Sequence, residues 1–199
     1  MAAEPLYLGH LVSFIMHPGH PRTTRLLQRI TTLARQNFDE GIGAIPNERH
    51  RVLVWNLPIA SALDLIPWAE KNFGVSIVMD MLTFHPDDVF IDTSTPDTML
   101  NGLARVITRS PMGRHANGPA ENYFRYISHI CESFSVDMIW MGAAVGCKNT
   151  LALSGLLKEH CRKMGLPLLI INFDLLDERV FPLEGMMHQV ENFMQEIEK

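Results

Sequence analysis

The apolar positions of this chain change period near residue 50. Before that point they fall at helical spacing: Leu26, Leu27, Ile30, Leu33, Ala34 and Phe38 predict one helix over residues 22–38 with a single buried stripe. A shorter apolar segment, residues 6–16, precedes it and ends at His17-Pro-Gly-His20-Pro21. The two predicted helices form an N-terminal helical pair over residues 1–48. A polar linker carrying Gly41, Gly43 and Pro46 leads out of it.

After residue 48 the apolar residues gather into short solid runs, the pattern of strands buried on both faces. Arg51-Val-Leu-Val-Trp-Asn56 is the first run and Val75-Ser-Ile-Val-Met-Asp80 the second. Between them lies a helical stretch through Leu65, Trp68, Ala69 and Phe73, with Ser61 as its cap and Gly74 as its stop. Strand, helix and strand at this spacing make a right-handed parallel unit.

Residues 81–118 interrupt the alternation as an insertion. It contains Asp87-Asp88, a helix from about 96 to 107 capped by Ser94 or Thr95, and a loop carrying Arg114 and His115. Insertions of this kind form lids or cleft walls. We read Arg114 and His115 as a solvated surface loop, with ligand contact as the alternative. The alternation resumes with a helix at 119–134, a strand at 136–141, a helix at 149–164, a strand at 168–173 and a last helix from about Leu183. The expected fold is therefore α/β: a doubly wound, flavodoxin-like parallel sheet of about four strands in the order 2-1-3-4, occupying residues 49–199.

That order puts the topological switch point between the first and third strands, where ligands of open α/β sheets bind. The candidate site follows from it. Asn56 ends the first strand, and the third strand runs into a small-residue joint with Gly142, Gly146, Cys147, Lys148 and Asn149. Glycines there admit close backbone approach, and the helix that restarts at Asn149-Thr150 offers free N–H groups. Cys147 precedes that helix beside a lysine, a setting that favours thiolate; a passive cysteine in a tight turn is the alternative. Cys131 and Cys161 fall among apolar residues on predicted helices and read as small buried hydrophobes. His17 and His20 flank a Pro-Gly turn with no third ligand nearby, so we expect no zinc there.

Composition narrows the class. Apolar residues make up 47% of the 199 residues and charged residues 20%, as in ordinary globular proteins. The net charge of −5 gives no reason to expect nucleic acid or an anionic membrane as partner. The first residues lack a basic secretory n-region, no apolar run is long enough to span a bilayer, and three widely spaced cysteines suggest no disulfide framework. These features predict a reduced, cytoplasmic protein.

A resemblance adds to this reading. Arg51-Val-Leu-Val-Trp-Asn, Val136-Asp-Met-Ile-Trp, Gly146-Cys147-Lys148, Gly165-Leu-Pro-Leu-Leu-Ile-Ile-Asn and Asp174-Leu-Leu-Asp177-Glu-Arg179 follow one another in order. Together they resemble the C-terminal domain of the 2-hydroxyacyl-CoA dehydratase / benzoyl-CoA reductase family. The resemblance implies a lyase-type enzyme acting on an acyl-CoA substrate by one-electron chemistry through a [4Fe-4S] cluster. It also implies a second dehydratase-type subunit and an ATP-dependent activator. By the same resemblance Cys147 would be a cluster ligand, Gly146 and Lys148 would shape its loop, and Asp174, Asp177 and Arg179 would stabilise or line the carboxyl edge. The family's other cluster cysteines come from an N-terminal domain, so the missing ligands would come from another chain or segment. Two alternatives stay open: a non-catalytic α/β binding module, and a structural subunit without a cluster.

Overall fold

The computed structural model describes residues 19–56, 62–84, 90–110, 113–114 and 118–199, with the side chain of Thr150 excepted. The expected helix at 6–16, His17, the Leu57-Pro58 turn, the Ser61 cap, Asp87-Asp88 and His115 lie outside these residues. The described elements run α1 (Pro21–Asp39), β1 (His50–Asn56), α2 (Leu65–Phe73), β2 (Val75–Asp80), α3 (Pro96–Arg109), α4 (Ala120–Phe134), β3 (Met138–Ala144), α5 (Lys148–Met164), β4 (Leu168–Phe173) and α6 (Leu183–Ile197).

The four strands form one all-parallel sheet in the order β2-β1-β3-β4, as the alternation predicts. Its two faces are covered by different helices. On one, Val52, Val54, Met138, Trp140 and Ile171 pack against Leu65 and Ala69 of α2 and Met186, Val190 and Met194 of α6. On the other, Leu53, Trp55, Ile139 and Met141 pack against Tyr123, Ile127 and Ile130 of α4 and Leu157 and Cys161 of α5. Alternate residues of β1 and β3 thus feed two separate cores, which is why these strands read as solid apolar runs. Gly74 and Gly165 end α2 and α5 in the left-handed conformation, with φ of 65° and 70°. In α3 the cap is Thr95, which shares reciprocal hydrogen bonds with Thr98.

Three expectations need correction. No residue of α1 is buried: Leu26 is 42% and Phe38 83% exposed, because both sheet faces are already covered by α2, α4, α5 and α6. Strand β3 continues to Ala144, so Gly142 lies within the sheet and not in the loop. Pairing with β4 carries it on, Ala144 standing opposite Phe173. Finally, Arg114 is half-buried: its guanidinium lies 5.3 Å from the centre of the Tyr126 ring and hydrogen-bonds the Tyr126 hydroxyl.

Candidate functional site

All four strands point their carboxyl ends the same way, and the candidate residues collect along that edge. Asn56 closes β1 directly beside Gly142 of β3. Two residues further on β3 ends, and Val145 is tied to β4 by its N–H donating to the Phe173 carbonyl at 2.9 Å. Gly146 then turns the chain with φ of 85°. Cys147 stands at the N-cap of α5: its own N–H donates to the Ala144 carbonyl at 3.1 Å, and its carbonyl accepts from Leu151. The Cys147 thiol does not cap the helix and packs, half-buried, against the core of the α2–α6 face. Lys148 is exposed and Asn149 half-buried in the first turn of the helix.

The β4–α6 loop flanks this joint on the other side, since Asp174 follows the Phe173 that pairs with Ala144. Asp174, Asp177 and Arg179 are engaged within the loop itself. Asp174 Oδ1 accepts from the N–H groups of Leu176 and Asp177 at 2.8 and 3.0 Å. Arg179 grips the Asp177 carboxylate through Nε and Nη2 at 2.8 and 2.7 Å, which holds that carboxyl below its ordinary range. The same loop exposes apolar side chains, Leu176 at 97%.

Asn56 is the least ordinary residue of the edge. It is a non-glycine residue at φ of 72°, and its side chain is 2% exposed. Its Oδ1 accepts a hydrogen bond from the Tyr123 hydroxyl at 2.7 Å, while its Nδ2 has no partner among the described residues. Tyr123 comes from α4 and is fully buried, with the Trp55 ring edge-on at 5.0 Å. Burial pushes the phenol well above its usual range. Asn56 and Tyr123 therefore belong to one neighbourhood. Sequence reading finds Asn56 and misses Tyr123, which looks like one more apolar-stripe residue of α4.

The other two cysteines are elsewhere. Cys131 and Cys161 lie in the core between α4, α5 and the sheet, where burial pushes their thiols up to about 12 and about 11. Both are core residues, as their apolar surroundings predict. A [4Fe-4S] cluster takes four cysteine thiolates. This edge supplies one, and among the described residues no three His, Cys, Asp or Glu side chains stand together. The donor set of the described residues does not fit such a cluster by itself.

At the opposite, amino edge of the sheet an open groove is lined by Pro46, Arg49, Glu70, Lys71 and Phe73. It lies away from the switch point, with Arg49 paired to Glu198. Among the described residues no helix is long and apolar enough to cross a membrane.

Comparison with known families matches residues 2–197 to the one described as 2-hydroxyglutaryl-CoA dehydratase, D-component. Comparison with curated proteins finds no match.

Proposed function

The chain belongs to the 2-hydroxyglutaryl-CoA dehydratase D-component family, and from that premise we propose that it is a subunit of a dehydratase-type enzyme whose carboxyl edge receives a CoA thioester. The observation that carries this reading is the pairing of Asn56 with Gly142. It sets the end of β1 and the Gly146-Cys147-Lys148 joint side by side at the switch point. The first turn of α5 offers backbone N–H groups beside Lys148, a setting suited to an anionic ligand such as CoA. Asp174, Asp177 and Arg179 bound the same edge and shape its rim. The insertion at 81–118 is the natural wall of the crevice, with residues 1–48 as a separate helical segment.

Cys147 is the residue of this chain that we assign to iron. Because one thiolate does not hold a cubane, the remaining ligands must come from a second dehydratase-type subunit or from another segment. The one-electron chemistry and its ATP-dependent activator belong to that assembled enzyme. Three cysteines without a disulfide support a reducing, cytoplasmic setting. The donor shortfall also favours a second reading, a binding module that keeps the CoA crevice without the metal.

The two readings separate on iron and acid-labile sulfide after anaerobic purification with a co-expressed partner subunit. A dehydratase subunit retains near-stoichiometric iron, lost in Cys147→Ala, and converts 2-hydroxyacyl-CoA. A binding module retains the CoA ligand and no iron. Failure of the chain to bind any acyl-CoA overturns both.

A further inference from the structure

Asn56 carries two costs in one residue. A left-handed backbone is disfavoured for any L-residue, although asparagine is among the more tolerant. A buried donor without an acceptor forfeits its hydration and gains nothing in return. Glycine at this position would remove both costs. Trp140 Nε1 also lacks a partner among the described residues, but that indole is a large apolar body whose burial offsets the loss. A short amide at a strand end has no such compensation. Groups kept at a cost cluster where a ligand makes use of them.

The geometry also decides which end of the amide is on offer. The Tyr123 hydroxyl donates to Oδ1 at 2.7 Å and so takes the acceptor end, which leaves Nδ2 as the open donor. Tyr123 is itself held in place, with Trp55 edge-on at 5.0 Å and Phe124 at 5.5 Å. Across the sheet Asn56 meets Gly142, which has no side chain to cover it. The donor is neutral and desolvated. Its natural acceptor is an uncharged oxygen, because a carboxylate or phosphate stripped of water there would need a charge that this amide does not supply.

Resting on the acyl-CoA reading above, we propose that Asn56 Nδ2 is the hydrogen-bond donor that seats an uncharged oxygen of the acyl group, and that Tyr123 is the positioning residue that holds the amide in that orientation. Both the thioester carbonyl and a 2-hydroxyl have this chemistry, and both are compatible with the site.

The test uses the full chain and three probes: 2-hydroxyglutaryl-CoA, glutaryl-CoA and free CoA. Dissociation constants come from calorimetry, with the fluorescence of Trp55 beside Tyr123 as a second readout, and thermal melting runs in parallel. Asn56→Gly is expected to weaken acyl-CoA binding about tenfold, the worth of one hydrogen bond, and to leave CoA affinity unchanged. Tyr123→Phe is expected to weaken it less, since the donor is still present but no longer held. The double variant, free of the strain and of the unpaired amide donor, is expected to melt at or above the wild type. Loss toward both acyl-CoAs assigns the carbonyl, and loss toward 2-hydroxyglutaryl-CoA alone assigns the hydroxyl. Equal affinity of wild type and Asn56→Gly for both acyl-CoAs overturns the inference and leaves the functional reading standing, as does a double variant that melts well below wild type. A wild-type chain that binds neither acyl-CoA overturns the functional reading and the inference with it.

Discussion

The two ends of β1 are built to different rules. At its amino end the polar groups pair off. The Arg51 N–H donates to Asp137 at 2.7 Å, and its guanidinium donates to the Phe134 carbonyl and to Glu48. Arg49 reaches Glu198, the C-cap of α6, and Gly74 closes the neighbouring turn with its carbonyl accepting from both Arg49 and His50. At the carboxyl end of the same strand, Asn56 keeps a left-handed backbone and a buried donor without a partner among the described residues. One edge closes the fold. The other leaves polar capacity open, where a ligand of a parallel sheet would arrive. The contrast teaches where to look for function: in the polar group the fold itself does not use.

The sharpest way to break the comparison is at Gly74. A Cβ there would lie 2.3 Å from the Asn47 carbonyl oxygen at a φ of 65°, so Gly74→Ala combines strain with a backbone clash. We expect a loss of about 2–4 kcal/mol in denaturant unfolding. A loss below about 1 kcal/mol would mean that the amino edge is less tightly closed than its contacts imply.

Core thiols provide the next effect. Burial raises Cys161 from 9.0 to about 11 and Cys131 from 9.0 to about 12, so the folded state prefers both protonated. Their contribution is complete below about pH 9, the unfolded value, and is lost as pH climbs through the folded values. Melting temperature should fall steadily above about pH 9, and Cys131→Ala should flatten that fall even though it lowers stability at neutral pH. A profile that stays flat to about pH 11 would contradict the packing around these thiols.

Gly146 is the carboxyl-edge counterpart of Gly74. It has a φ of 85° but nothing within 4 Å of an added Cβ, so Gly146→Ala should cost only about 1 kcal/mol. Equal losses at Gly74 and Gly146 would erase the distinction between the edges. Smallest of all is Arg179→Ala. The Asp177–Arg179 pair is solvent-exposed, so unfolding should not register its loss, while any change in acyl-CoA affinity would assign the pair to the rim of the site.

Much of this architecture is legible in the chain's own pattern. The central strands β1 and β3, buried on both faces, produce solid apolar runs, and glycines at positions 74 and 165 stop helices where a left-handed residue is needed. Those signals are local, and the parallel order with its switch point follows from chain-connection rules. The joint at Gly146-Cys147-Lys148 and the terminal position of Asn56 follow with it. The Asx turn of Asp174 and the Asp177–Arg179 pair lie within a few residues of one another, so their proximity in sequence already groups them at one edge.

What escapes the sequence depends on distant partners. The stripe of α1 has the spacing of a buried face, but burial needs an uncovered surface, and the sheet offers none. Strand β3 runs past its apolar segment because β4 continues to pair with it through Ala144. Tyr123 meets Asn56 across 67 residues of chain, and helical periodicity does not distinguish a tyrosine that only packs from one that also anchors an amide. Periodicity determined which faces of the chain are apolar. Only the folded chain decided which polar groups those faces bring together, because a hydrogen bond depends on ångströms between atoms and an apolar stripe depends only on the side of the helix.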